Sequence, residues 1–287
     1  MRYRTIVTNA ILALLAAAGL VGCSGDVPST HARHASRAPK RRAGSPPPRR
    51  VSGPHDSPVP ILMYHVIADP QPGTTYPELF VSPPVFEAQM RALRSRGYHA
   101  VTLAQVERYW RRGYALPKKP IVLTFDDGYL SDYTRARPVL GRLGWPGVLN
   151  LEVNNVRTAG DITAHQVSKL IGDGWEIDSH TITHPDLTTL SAARLRTELV
   201  GSRNWLRRRF HVPVDYFCYP AGRFNRSVED AVRAAGYRLA TTTQPGLARP
   251  SEPLALDRIR VDRSDGVAGL LGQLAAPDAV TAAAGSG

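Results

Sequence analysis

Four side chains in two short stretches have the types and spacing of a reaction centre. In "VLTFDDGYLSDY", Asp126 and Asp127 stand together behind an apolar run and in front of Gly128. Asp-Gly after β-branched residues is itself a turn signal, so the pair could do no more than reverse the chain. In "SHTITHPDL", His180 and His184 stand four apart. On a helix that spacing puts two imidazoles on one face, as zinc sites use. Thr181, Ile182 and Thr183 form helices poorly, however, and Pro185 stops one, so a loop after a strand is expected. Two loop histidines alone suit a surface as well as a metal. Joined by an aspartate from another strand end, they make a three-ligand set that leaves positions for water and substrate.

The elements that must position these residues are legible from Pro60 onward. Short β-rich runs, "PILMYHV", "HAVTL", "PIVLTF", "GVLNLEV", "WEIDSH", "YFCYP", "RLATTT" and "LDRIRV", alternate with amphipathic stretches such as "PVFEAQMRALRSRG" and "SAARLRTELVGSRNWLRRRF". Ser191 reads as the N-cap of the second stretch, and Gly97, Gly174 and Gly236 read as helix stops. Repeated strand-helix alternation implies parallel strands, and the fold class expected is α/β: a distorted (β/α) barrel of about seven strands in a single domain. Such barrels carry their chemistry where strands end. His65 ends the first strand, Asp126 and Asp127 the third, His180 the fifth, and "PAG" at 220–222 follows the sixth.

Taken in order, "TFDDGY", "SHTITHPDL" and "YPAGRFN" resemble the polysaccharide deacetylases that share the NodB homology domain, carbohydrate esterase family 4. The resemblance spans roughly residues 60–262, and the opening "PILMYHVI" is similar to the circularly permuted subgroup acting on poly-N-acetylglucosamine. It implies that Asp127, His180 and His184 hold a divalent metal ion, zinc before cobalt, nickel or iron. It implies Asp126 as the general base for the attacking water and His65 as the acid for the departing amine. The Ala221 N–H, with Tyr219 beside it, is implied at the oxyanion and substrate. Unpermuted members keep their acid histidine near the C-terminus; here none follows His211, and permutation with His65 in that role accounts for the gap. Two departures stand out. Cys218 occupies the position of the arginine that orients the base, leaving Arg258 or Arg260 as substitutes, and Ala221 replaces an aromatic ring. Asp178 and Asp186 read as turn or supporting residues, and Cys218 as a small buried hydrophobe.

Composition bounds the rest of the chain. Hydrophobic content of 43% and charged content of 21% describe an ordinary core. Arg2 and Arg4 precede an apolar run from Ala10 to Gly22, which falls short of the roughly 20 residues that span a bilayer. Residues 1–22 therefore read as a signal peptide, and "LVGC" resembles a lipobox that would lipidate Cys23. Of the formal net charge of +12, a basic, Pro-rich tether over 23–57 carries +5, with Arg33, Arg37, Lys40, Arg41, Arg42, Arg49 and Arg50 facing only Asp26 and Asp56. That distribution argues for a segment touching anionic lipid or wall polymer and against a nucleic-acid partner. A catalytic domain over 58–275 and a small polar tail over 276–287 complete the chain, which is expected to act as a monomer.

The function expected is N-deacetylation of N-acetylglucosamine units in a cell-surface or cell-wall polysaccharide, releasing acetate. Peptidoglycan, chitin oligomers and O-acetyl xylan are competing substrates within that class. A non-catalytic glycan-binding lipoprotein would lack a ligand or the base, and this sequence lacks neither. Cys23→Ala is expected to move the protein from the membrane to the soluble fraction; an unmodified Cys23 in membrane-bound protein, seen by mass spectrometry, would contradict the anchor.

Overall fold

The computed structural model describes residues 49–158 and 161–275. The signal segment 1–22, Cys23, the tether up to residue 48 and the tail 276–287 lie outside the described residues. The chain runs β1 (Ile61–Tyr64), α1 (Pro83–Ser95), β2 (His99–Val101), α2 (Leu103–Arg112), β3 (Pro120–Asp127), α3 (Arg137–Leu143), β4 (Val148–Leu151) and α4 (Ala164–Gly172). It continues with β5 (Glu176–Ser179), α5 (Ala192–Arg196), α6 (Ser202–Phe210), β6 (Tyr216–Cys218), α7 (Arg226–Ala234), β7 (Leu239–Pro245), β8 (Leu256–Arg260) and α8 (Gly266–Ala275). All strand pairs are parallel. The order β1-β8-β7-β6-β5-β4-β3 closes on itself through β1 and β3, and β2 lies along the first half of β3. This is the seven-stranded (β/α) barrel expected. It is distorted where β5 and β6 share the single pairing Ser179–Phe217 and where the β7–β8 register shifts between Thr241 and Pro245.

Two apolar clusters hold it. The larger packs the helices on the outer face of the sheet, with Phe86, Met90 and Leu93 of α1 against Tyr64 and Phe125. The smaller fills the lower half of the barrel, where Ile61, Val122, Val148, Tyr216, Leu239 and Leu256 meet Leu103, Val106, Tyr109 and Trp110 of α2. These strand residues sit near their strands' beginnings, so α2 plugs the end of the barrel opposite the strand C-termini. Glu176 fixes the plug by accepting from the Leu103 and Ala104 N–H groups at 2.9 and 3.0 Å, which answers free donors at a helix start.

Because side chains alternate across a strand, the residue two further on also points inward. Val122 is followed by Thr124 and Asp126, Val148 by Asn150, Tyr216 by Cys218, and Leu256 by Arg258. Thr124, Asp126, Asn150, Cys218 and Arg258 are joined by hydrogen bonds in the upper half. The barrel is thus oily below and polar above. Ser191 caps α5 through the Arg194 N–H, and Gly97, Gly174 and Gly236 adopt positive φ as helix stops.

The packed chain begins earlier than Pro58. Val51 N–H donates to Gly113 O at 2.8 Å, the Trp110 indole donates to Ser57 O at 2.9 Å, and His55 Nδ1 lies 2.6 Å from Trp110 O. The last residues of the basic segment therefore lie along α2. Among the described residues no helix is long and apolar enough to cross a membrane.

Candidate active site

The upper mouth of the barrel opens into a cavity of about 760 Å³ whose lining includes His65, Asp126, Asp127, His180, His184, Tyr219 and Ala221. The structure brings together every site residue expected from the sequence within the described residues. Cys23 lies outside them.

The adjacent aspartates are separated by the backbone. Asp126 still follows the strand, but Asp127 has φ 75° and Gly128 φ 94°, so the chain folds over at this point. A Cβ on Gly128 would stand 2.4 Å from Leu151 Cδ1 and take a φ that side chains rarely adopt, so any other residue here is strained. Asp127 Oδ1 is thereby placed 3.4 Å from His180 Nε2 and 3.7 Å from His184 Nε2. The loop carrying the histidines is bent as well, with Thr181 at φ 70° and His184 at φ 50°. Glu198, fully buried, holds that loop by accepting from the Ile182 and Thr183 N–H groups and the Thr183 hydroxyl at 2.8, 3.1 and 2.8 Å.

These three atoms suit a divalent cation. They lie within 4.8 Å of one another, and one carboxylate with two imidazoles is a donor set that such ions accept. His180 Nδ1 is 2.8 Å from Cys218 O, so that nitrogen carries a proton and Nε2 is the atom turned toward Asp127. Burial lowers the pKa of His184, which favours the neutral ligand form.

Asp126 is held differently. Arg258 donates to it through two parallel bonds, Nη1 to Oδ1 at 2.9 Å and Nη2 to Oδ2 at 2.8 Å, and Asn150 Nδ2 donates to Oδ1 at 2.7 Å. The guanidinium is itself fixed by Thr242 O at 2.6 Å and the Thr124 hydroxyl at 3.0 Å. Burial alone would raise the Asp126 pKa; the charges of Arg258 and His65, with the Arg258 hydrogen bonds, override it and hold the carboxyl far below the usual range. Of the two arginines expected to replace the missing one, Arg258 is therefore the partner. Cys218 is more than an apolar filler, since its Sγ lies 3.6 Å from Asp126 Oδ2 and 3.3 Å from Arg258 Nη2. His65 Nε2 stands 3.9 Å from Asp126 Oδ2, too far for a direct hydrogen bond and wide enough for a bridging group. Burial lowers its pKa against the opposing pull of Asp126 and Asp127.

Across the mouth, Ala221 has φ 50° within the turn Pro220–Gly222. The turn's hydrogen bonds use the N–H groups of Gly222 and Arg223, which leaves the Ala221 N–H unspent by the turn. Gly222 is required, since a Cβ there would stand 1.9 Å from Thr243 Oγ1. Tyr219 lines the cavity, but its hydroxyl donates to Leu254 O and its ring stacks on Phe224, so its role is packing. Asp186 caps a short turn and pairs with Arg223. Asp178 is buried beside Glu176, and burial followed by the Glu176 charge raises its pKa.

Asn150 and Glu198 were not singled out from the sequence. A polar residue at an inward position of "GVLNLEV" is the signal that Asn150 offers. Glu198 had only a carboxylate in an otherwise apolar helical face.

The chain is similar to several known proteins. A family model described as polysaccharide deacetylase matches residues 113–240. A Bacillus subtilis protein named as a polysaccharide deacetylase, YxkH, is 31% identical over 74% of this chain and 73% of its own length. The poly-beta-1,6-N-acetyl-D-glucosamine N-deacetylase of Escherichia coli is 27% identical over 60% of this chain but only 32% of its own. The Streptococcus pyogenes deacetylase PplD, solved in complex with acetate, superposes with a TM-score of 0.71 and 28% identity, covering 76% of this chain and 98% of that one.

Replacing Arg258 by Met is expected to destabilise the fold by about 3–5 kcal/mol at neutral pH, because a buried carboxylate is left unanswered. The pH dependence follows from the sign of the shift. In the wild type the Asp126 pKa is below its unfolded value of about 3.9, so its stabilisation is complete above that value and lost as pH falls further. In Arg258→Met burial raises it instead, and stability declines as pH rises above the unfolded value. Thermal unfolding should therefore show the gap between wild type and variant narrowing from about pH 7 to about pH 4; a gap independent of pH would contradict the assignment.

Proposed function

The chain belongs to the polysaccharide deacetylase family, and on that premise we propose that it is a metal-dependent hydrolase acting on N-acetylglucosamine units of a cell-surface or cell-wall polysaccharide. One observation carries the reading: Asp127, His180 and His184 converge at one point of a cavity that also holds Asp126 and His65. The poly-N-acetylglucosamine relative supports the sugar, and acetate in the streptococcal neighbour matches the acid such a reaction releases.

A divalent ion held by Asp127, His180 and His184, with zinc the expected one, would supply Lewis-acid polarisation of the amide carbonyl and a lowered pKa for the attacking water. The chain's own groups do the rest. Asp126, kept ionised by Arg258 and Asn150, accepts a proton from that water as its oxygen bonds to the acetyl carbon. The Ala221 N–H donates to the carbonyl oxygen as negative charge develops on it. The proton taken up by Asp126 passes to His65, 3.9 Å away, and His65 gives it to the sugar nitrogen, which then leaves with the electron pair of the broken C–N bond. One water is consumed, and the products are acetate and a glucosamine unit. Export, anchoring through Cys23 and action as a monomer complete the proposal.

The two aspartates should part company under mutation. His180→Ala is expected to lose bound metal and acetate release together. Asp126→Asn is expected to keep its metal while the rate falls roughly 100-fold to 10,000-fold. Metal analysis alongside acetate release from N-acetylglucosamine oligomers checks both. Metal lost from Asp126→Asn but retained in Asp127→Asn would reverse the assignment.

A further inference from the structure

The cavity is much larger than a single acetamido group needs, and its lining includes one widely exposed ring. Val51, Tyr76 and Leu130 are the large hydrophobic side chains exposed among the described residues; of these only Tyr76 lines the cavity. It is also the most exposed, at 65%. The other rings there are committed. Tyr219 is stacked on Phe224, and Tyr129 is drawn toward Asp127, whose charge and hydrogen bond add to burial in raising its pKa.

The segment that carries Tyr76 is anchored. It joins β1 to α1 and is tied at its far end by Val66 N–H to Leu79 O at 3.2 Å, Val81 N–H to Val66 O at 2.9 Å and Arg263 N–H to Glu78 O at 3.0 Å. Tyr76 O closes the short turn Pro77–Leu79 by accepting from Leu79 N–H. Its own backbone is left-handed, φ 59° and ψ 56°, a conformation that an aromatic residue rarely adopts. An anchored loop therefore presents a large apolar face at the mouth of a polar site, where hydration disfavours it.

Resting on the functional reading above, we infer that Tyr76 is the platform of a second sugar subsite, against which the pyranose ring next to the reacting N-acetylglucosamine stacks. The apolar C–H face of a pyranose matches the electron-rich face of the phenol ring, and the ring has few torsions to freeze on binding. The subsite is continuous with the reaction centre through the one cavity that both line. It makes the enzyme selective for chains over single sugars, and Tyr76 acts by holding the neighbouring unit, not by touching the reacting bond.

The test compares wild type, Tyr76→Ala and Tyr76→Phe on a β-linked N-acetylglucosamine tetramer, the free monosaccharide and 4-nitrophenyl acetate, which has no sugar. Tyr76→Ala is expected to lower kcat/KM for the tetramer about tenfold relative to the aryl ester, mostly through KM, with little change for the monosaccharide and recovery in Tyr76→Phe. Equal losses on tetramer and ester, or a Tyr76→Phe as impaired as Tyr76→Ala, would overturn the subsite. A wild type that hydrolyses the ester but releases no acetate from any N-acetylglucosamine chain would overturn the functional reading itself, and the subsite with it.

Discussion

A carboxylate inside a barrel is tolerable only if its charge is answered, and Arg258 answers that of Asp126 with two parallel hydrogen bonds of 2.9 and 2.8 Å. Both side chains are almost wholly buried, so neither can turn to water for compensation. The pair ties β8 to β3 across the polar half of the barrel, and Asn150 and Cys218 add contacts from β4 and β6. Three other strands thus converge on the one carboxylate that β3 carries. Its position is fixed by the same contacts that keep it ionised, so it faces the cavity in one geometry and in the proton-accepting form.

The neighbouring aspartate is freed for different work by the backbone. Left-handed φ at Asp127, Thr181, His184 and Ala221 gathers at this one mouth. Each such residue costs about 1–3 kcal/mol and persists only where its surroundings fix it. Glu198 fixes the histidine loop, and Gly128 and Gly222 give the other two turns room. The oily lower half of the barrel and its α2 plug supply the stability against which this strain is held.

The barrel was legible because strand and helix periods differ and alternate regularly, and because strand ends carry the chemistry. For the same reason His180 and His184 could be grouped with an aspartate from another strand end; that Asp127 is that aspartate came from the family resemblance. Which arginine would serve Asp126 could not be read, since Arg258 and Arg260 share the inward face of one strand and only depth in the barrel separates them. Cys218 looked like a simple hydrophobe because its neighbours come from β3 and β8, distant in sequence. Tyr219 looked available to substrate, and only the fold shows its hydroxyl donating to Leu254 O. The start of the packed chain was hidden too: a Pro- and Arg-rich composition gives no sign that His55 and Ser57 pair with Trp110.

The central claim is that a single backbone turn divides two adjacent aspartates between two jobs. The most direct measurement is a crystal structure of the metal-loaded protein with acetate bound. The account predicts an ion bonded to Asp127, His180 and His184, acetate within reach of the Ala221 N–H, and Asp126 still bidentate on Arg258 with no bond to the ion. An ion coordinated by Asp126, with Arg258 displaced from it, would contradict the account.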